Sequence, residues 1–584
     1  MSKSSSVIAG LDRAARRAFY RAEILRYTPK YLSQVDRCPL SATSGSADRE
    51  FWAWATKDFS NMDMQRGVRL LAFLFARPFP GNGFCRQSAL MQWIEQLVKF
   101  WAANQAAGGA FDHLYPYEKS WMAAAFTLTD MAAAFDLVGM DVTPETRTLW
   151  LDTLRKAAIH LVKTDEKHAF ISNHRSAAAA GLAAAARIFG DNAFVSRSWS
   201  VMHDVYRHQS PEGWYEEYGG ADPGYQTLDI HYQGVFYRET GETRVVESVT
   251  SALDFTSYFV HPDGSIGGEY GSRACPQFFP GGFEVFAPLI PIAEAMIRRC
   301  CAGLANGTSA GLQEADGRNE VPMAASYVLA LEVLDSASSS EDSASSCPLP
   351  IERRFQRAWP AAGMMVRNDG RSYVIVGASK GGVIKVFDLA TGALVHASCG
   401  YAGRTDTGLD ITTHHYTSSP DFTHRLEEGE RPIEPEPTVV IKAPFFVFRR
   451  NRVMSPFKFL LFRIFNNTVG RIALVNNYVR HSIIVNRFIV MRRKENWSLI
   501  RKINFYGDRS ITISDHISGD RSLTTLREFG FLSTIYMASA KYYRPQDIHQ
   551  AWMGEDLGEM NDICRQTTVA LIHTSPDKYT KKRM

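Results

Sequence analysis

The feature that most constrains this chain is a change in apolar period across a serine-rich stretch, Ser336–Ser346 (SASSSEDSASS). Such a low-complexity segment has too little apolar surface to pack and reads as a linker. From about residue 60 to 336, apolar residues recur at i, i+3, i+4 and i+7. Examples are ALMQWIEQLVKFWAANQ, SWMAAAFTLTDMAAAFDLVG, PETRTLWLDTLRKAAIHLVKT and SAAAAGLAAAARIFG, with Gly, Pro or Asp breaks between them. Consecutive helices without strand patterns predict helical hairpins stacked in an arc or toroid. No short exact repeat marks a regular solenoid. Beyond the linker the period becomes two, as in RSYVIVGASKGGVIKVFD, TVVIKAPFFVFRR, HSIIVNRFIVMRRK and WSLIRKINFYG. Many strands without intervening helices predict a sandwich. The expected fold is multidomain α + β: an α/α-toroid over 1–335 (an incomplete barrel of helical hairpins), a linker over 336–349, and an antiparallel β-sandwich over 350–584. Pro456–Asn477 fits either a helical excursion with a basic, apolar face or two further strands.

A chain of 584 residues with 45% hydrophobic residues has material for two such cores. The net charge of +4 is uninformative, but its distribution is not. Between Ile441 and Phe505 there are fourteen Lys/Arg against the single acid Glu495, so the rest of the chain is mildly acidic. That asymmetry suits a polyanion, an anionic membrane surface reached peripherally through 441–505, or simply a solvated Arg-rich face. Nucleic acid is not expected, because no recognition motif accompanies the basic stretch. The eight scattered cysteines form neither a disulfide framework nor a zinc ribbon. With no apolar signal region near the N-terminus and no stretch as long as a membrane span, the expected location is cytoplasmic.

Three segments carry candidate chemistry. Asn173-His174-Arg175 opens the Ala-rich helix; Asn173 can serve as its cap, or the three can form a carboxylate receptor at the helix's positive end. The second is GWYEEYGGADPGYQTLDIHYQGVFY, residues 213–237. There a Gly/Asp/Pro loop meets an aromatic helix start, and aromatic density of this kind suits stacking on sugar rings. On a helix Tyr225 shares a face with Leu228 and Tyr232, whereas His231 points elsewhere. Simple core packing is the other reading, and it fits Phe236 and Trp214 better than a Tyr placed just after Asp222-Pro223-Gly224. The third is the loop Phe111–Ser120, where Tyr115 can meet a sugar and Glu118 or Ser120 can cap the next helix. In the β region His396, Asp406, Asp410, His414, His415 and His424 match no firm metal signature. No cofactor is expected, beyond a structural metal that these residues leave open.

In this order, Asn173-His174 at a helix head, Tyr225 after a Gly-rich acidic loop, and a sandwich opening with SYVIVGASKGGVIKVFD resemble the heparinase II/III-like and alginate-lyase superfamily of polysaccharide lyases. The resemblance implies β-elimination on a uronic-acid-containing, anionic polysaccharide. Asn173 and His174 would bind the uronate carboxylate and Tyr225 would transfer the proton. Charge adds Arg175 as a substrate contact, and His231, Tyr232, Trp214 and Tyr115 are the remaining candidate sugar contacts. As a base, Tyr225 needs its pKa lowered by ~3 units; as a general acid it needs no shift. Related lyases carry a histidine-containing HAD-type motif in the sandwich. That string is missing, which leaves His414 and His415 as candidates for its place.

Two other readings stay open. A glycoside hydrolase of the same architecture needs two carboxylates flanking the sugar, from among Glu118, Glu216, Glu217, Asp222 and Asp229. A non-catalytic glycan-binding or assembly protein would use the basic segment for attachment.

Overall fold

The structure is a computed structural model. It describes residues 10–167, 169–336, 347–418, 421–422, 429–431, 438–448, 455–479, 493–506, 510–531 and 560–569. Most of the linker, His424 and most of HSIIVNRFIVMRRK lie outside them.

The first half is a double layer of helices. The outer layer comprises α1 (Arg13–Gln34), α4 (Ser88–Ala103), α6 (Pro144–Lys163), α8 (Asn192–Arg207), α10 (Thr243–Ser257) and α12 (Pro291–Ala305). Between them, after a short α2 (Arg49–Trp52), run α3 (Val68–Ala76), α5 (Trp121–Val138), α7 (Ser172–Phe189), α9 (Pro223–Thr240), α11 (Pro280–Phe286) and α13 (Glu320–Ser336). Each of these inner helices packs on the next, and α13 lies back against α3. The inner helices are buried on nearly every side, as their all-round apolar sequences require. Small residues set their spacing: a Cβ at Gly181 of α7 would stand 2.8 Å from Thr129 Oγ1 of α5. Helix α1 precedes the region expected to be helical; its polar surface obscures a narrow stripe of Tyr20, Ile24, Tyr27 and Tyr31, all buried. Helix α5 corrects the expectation that no stretch reaches the length of a membrane span. It qualifies by length and composition, yet most of it is buried inside the ring.

One outer helix separates each pair of inner ones, so the inner helices run the same way and their N-terminal loops share one end of the ring. Backbone bonds tie these loops together: Met62 N donates to Asp112 O, Ser172 N to Glu216 O and Ser272 N to Ala221 O, at 2.9–3.2 Å.

Among the described residues, the second half forms two antiparallel sheets. The first has the order β5-β4-β3-β2-β1-β9, from β1 (Phe355–Trp359), β2 (Met364–Asn368), β3 (Ser372–Gly377), β4 (Val383–Asp388), β5 (Leu394–Ser398) and β9 (Gly429–Arg431). The second runs β11-β10-β7-β6-β12-β13, with β8 (Asp421–Phe422) on β10. Its strands are β6 (Tyr401–Thr405), β7 (Asp410–Thr412), β10 (Thr438–Val447), β11 (Lys494–Phe505), β12 (Ile511–Glu528) and β13 (Met560–Val569). Val374, Val376, Ile384 and Val386 pack against Ile441, Ile503 and Ile513 between the sheets. The other face of the first sheet, through Phe355, Trp359, Tyr373, Ile375 and Phe387, joins the core of the helices. That sheet is covered on both sides, which explains why β2 and β3 are buried at every residue. Pro456–Asn477 takes the helical alternative, as α14 (Pro456–Asn467), a 3-10 turn and α15 (Ala473–Tyr478).

Candidate active site

The Asn173 side chain does not cap its helix. Helix α7 starts at Ser172, behind Ile171, which supplies no side-chain cap. Asn173 is 2% exposed and its Nδ2 donates to Glu217 Oε2 at 2.9 Å. Glu217 lies in the loop before α9. Burial, reinforced by Asp222 and Asp229 and opposed by Arg273, pushes its carboxyl up to about 8. It is therefore mostly a neutral acid at pH 7.

Tyr225 occupies the first turn of α9. Asp222 fixes that turn: Oδ1 accepts from Gly224 N and Tyr225 N at 3.1 and 3.0 Å, and Oδ2 accepts from Arg273 N at 2.8 Å. Gly224 is required here, because a Cβ would fall 2.0 Å from Cys275 O. The turn is thus pressed against the loop Gly267–Cys275, and Tyr225 has Cys275, Arg273, Glu217 and Asp222 as its electrostatic neighbours. Burial, helped by Cys275 and the two acids and opposed by Arg273, holds its hydroxyl well above the usual tyrosine range. The Arg273 guanidinium lies 4.1 Å from the centre of the Tyr218 ring. Asn173 bonds to Glu217, and Glu217 and Arg273 are in turn electrostatic neighbours of Tyr225, so the four lie together.

His174 is partly exposed beside this group. Its Nδ1 is 2.8 Å from Glu166 Oε2, and its ring meets Phe126 edge-on at 5.4 Å. With the proton on Nδ1, Nε2 keeps its lone pair.

The sandwich closes the site from behind. The Lys380 ammonium donates to Ser272 O at 2.7 Å, and Lys385 pairs with Glu269 at 2.5 Å. Tyr416 Oη donates to Gly219 O at 2.9 Å. Two buried cations therefore stand behind the loops that carry Glu217, Tyr218 and Arg273.

Residues 86–276, which include Asn173, Glu217, Tyr225 and Arg273, match the family model of the ulvan lyase N-terminal domain. The family likeness is thus to a polysaccharide-lyase domain and covers about a third of the chain. Among solved structures it is similar to a xanthan lyase from Paenibacillus, at 10% identity and a TM-score of 0.52 over 88% of this chain. It is also similar to a chondroitin AC lyase from Streptomyces coelicolor A3, at 9% identity and a TM-score of 0.50 over 89% of this chain. The chain spans 46% of the length of the former and 69% of the latter. No curated protein matches it.

On this lyase fold, several expected contacts take structural positions. Arg175 is turned away into ion pairs with Asp165 at 3.1 Å and Asp204 at 3.5 Å, and covers the Phe170 ring. His231 is buried beneath Gly281; burial and then Arg69 and Arg66 keep it neutral. Tyr232 is fully buried and its Oη accepts from Arg66 at 2.7 Å. Trp214 donates Nε1 to Glu212 at 2.9 Å, and Glu212 also holds the amides of Ala361 and Ala362, so the pair joins helices to sheet. Tyr115 is buried and packs edge-on against Phe462 of α14 at 5.6 Å. In the same loop Ser120 caps α5, and Glu118 accepts from the amides of His113 and Leu114 at 3.1 and 2.6 Å.

The sandwich histidines do not converge. His414 Nδ1 is 3.2 Å from Cys399 O, and burial followed by Lys380 holds its ring well below the usual histidine range. His415 lines a cavity of about 210 Å³ with Thr413, Thr417, Lys442 and Lys494. His396 is half-buried near Glu528 and Arg501, with its pKa lowered to about 4 mainly by desolvation. Among the described residues no three His, Cys, Asp or Glu side chains form a group that could hold a metal.

Sequence reasoning missed Arg273, Glu166, Lys380 and Lys385 as parts of this site. The run GGEYGSRAC, residues 267–275, held a signal, since a glycine-dense loop carrying Glu, Tyr and Arg seldom serves packing alone.

Proposed function

We propose that this chain cleaves a uronic-acid-containing polysaccharide by β-elimination. The observation that carries the reading is the convergence of Asn173 and Tyr225 on Glu217 and Arg273. The Asn173 amide and the Arg273 guanidinium would receive the uronate carboxylate, delocalising the charge that develops when the C5 proton leaves. A neutral Glu217 suits this task, because an ionised one would repel the substrate carboxylate.

His174 acts as the base through Nε2, with Glu166 holding its other nitrogen. The pair of electrons from the C5–H bond forms the C4–C5 double bond as the C4–O bond breaks. Tyr225 gives its proton to the departing oxygen. A hydroxyl with a raised pKa stays protonated across the neutral range, which fits a donor and disfavours a base. Solvent returns a proton to Tyr225 and removes one from His174.

Hydrolysis is less well served. Of the candidate carboxylates, Asp222 and Glu118 are bound to backbone amides, Glu217 to Asn173 and Asp229 to Gln233. That leaves Glu216 without a free partner among the carboxylates considered. Incubation with a panel of uronate polysaccharides tests the choice, with unsaturated-uronate absorbance and new reducing ends followed together. Both signals rising in step support elimination. Reducing ends without absorbance would move the assignment to a hydrolase.

A further inference from the structure

Between the neighbouring strands β10 and β11 the chain leaves the sandwich and lays α14 against the helical ring. One side of α14 is anchored there. Phe462 meets Tyr115, Arg463 pairs with Asp58 at 3.0 Å, and Asn466 is buried. After the turn, Arg471 lies 4.1 Å from the Tyr117 ring centre. The opposite side carries Phe457, Leu460, Leu461 and Ile464, at i, i+3, i+4 and i+7, and these are 49–67% exposed. Val469, Ile472, Leu474 and Tyr478 extend the surface at 50–82% exposure. Single exposed apolar residues are ordinary, but a contiguous helix face of them indicates a binding surface.

We propose that this face docks on an anionic lipid bilayer. From Ser455 to Val479 there are three bases, Lys458, Arg463 and Arg471, and no acid, within the wider basic stretch 441–505. A short helix with large aliphatic and aromatic residues on one side and cations around it has the composition that lies in the interface of a membrane with negative headgroups. A second copy of the chain is a poorer occupant. A two-fold contact through this patch would bring together two segments that carry bases and no acid between Ser455 and Val479. A polysaccharide would meet hydroxyl-matching groups and aromatic faces, and this surface is mainly aliphatic. The proposal is independent of the reaction assigned above.

The test is flotation of the full chain with liposomes of phosphatidylcholine alone, and with about a third phosphatidylglycerol. The chain is expected to float with the anionic liposomes, less so as salt is raised, and not with the neutral ones. Leu460→Ser with Leu461→Ser and Ile464→Ser should weaken that binding by more than about tenfold at unchanged Tm. Lys458→Glu, which leaves both the apolar face and the Arg471–Tyr117 contact intact, should weaken it as well. No flotation, or equal flotation of both variants and wild type, would overturn the proposal. So would a concentration-dependent dimer in gel filtration that the triple variant abolishes, since the occupant would then be a second copy. Equal recovery on neutral liposomes would overturn its anionic part.

Discussion

At the residue scale the decisive group is Glu217. Its carboxyl is held neutral in the folded protein up to about pH 8, whereas in the unfolded chain it ionises near 4.3. Between those values the folded state binds the extra proton, so stability falls as pH rises. Asp229, pushed up to about 7 by burial, acts in the same direction. Glu217→Gln keeps an oxygen for the Asn173 amide and removes the titration. The variant is therefore expected to melt higher than wild type at pH 8.5 to 9, by a margin that vanishes toward pH 5. Differential scanning calorimetry across that range measures it, and a margin that grows toward acid would contradict the assignment. His174 is tested through its pH profile. As a base it makes activity fall on the acid side, whereas as a protonated carboxylate receptor it would make activity fall on the alkaline side.

At the element scale the site depends on how closely α9 abuts the loop before α11. Gly224→Ala would drive a methyl into Cys275 O and is expected to cost about 2 kcal/mol or more by urea unfolding. Activity should fall further than stability alone explains, because the same turn aims Tyr225. What the sequence made legible follows from this. Asn173 and Tyr225 stood out because each is a polar or aromatic residue at a helix start, where loops from several hairpins meet. Their partners come from far along the chain, at Arg273, Lys380 and Lys385, and no local period reports such contacts. The ion pairs of Arg175 were hidden for a related reason: its partners Asp165 and Asp204 are ten and twenty-nine residues away. The burial of Tyr232 and His231 was equally hidden, because it follows from α9 being an inner helix with neighbours from distant parts of the chain. The helices and strands themselves were readable, because apolar period depends on local sequence. The seam between them was not, since the first sheet shares its core with the helical ring.

At the scale of the whole molecule that shared core makes the two halves one structural unit. Tyr373 Oη donates to Tyr258 O across the seam at 2.7 Å, and the buried Lys385–Glu269 pair crosses it as well. Removing one member of a buried ion pair costs about 3–5 kcal/mol, because the other charge is left stranded. Lys385→Met is expected to lose that much by urea unfolding, and Lys385→Met with Glu269→Gln to recover a large part of it. Helical and aromatic signals should be lost in a single transition, and two separate transitions would contradict a shared core.

The claim that elimination occurs at the meeting point of Asn173 and Tyr225 is tested most directly by Tyr225→Phe, compared with wild type at matched Tm. The measurement is unsaturated-uronate absorbance on whichever polysaccharide the wild type cleaves. Loss of one proton-transfer group predicts a fall of at least about 100-fold in kcat with little change in KM. Undiminished absorbance from the variant would contradict the account and remove Tyr225 from the reaction.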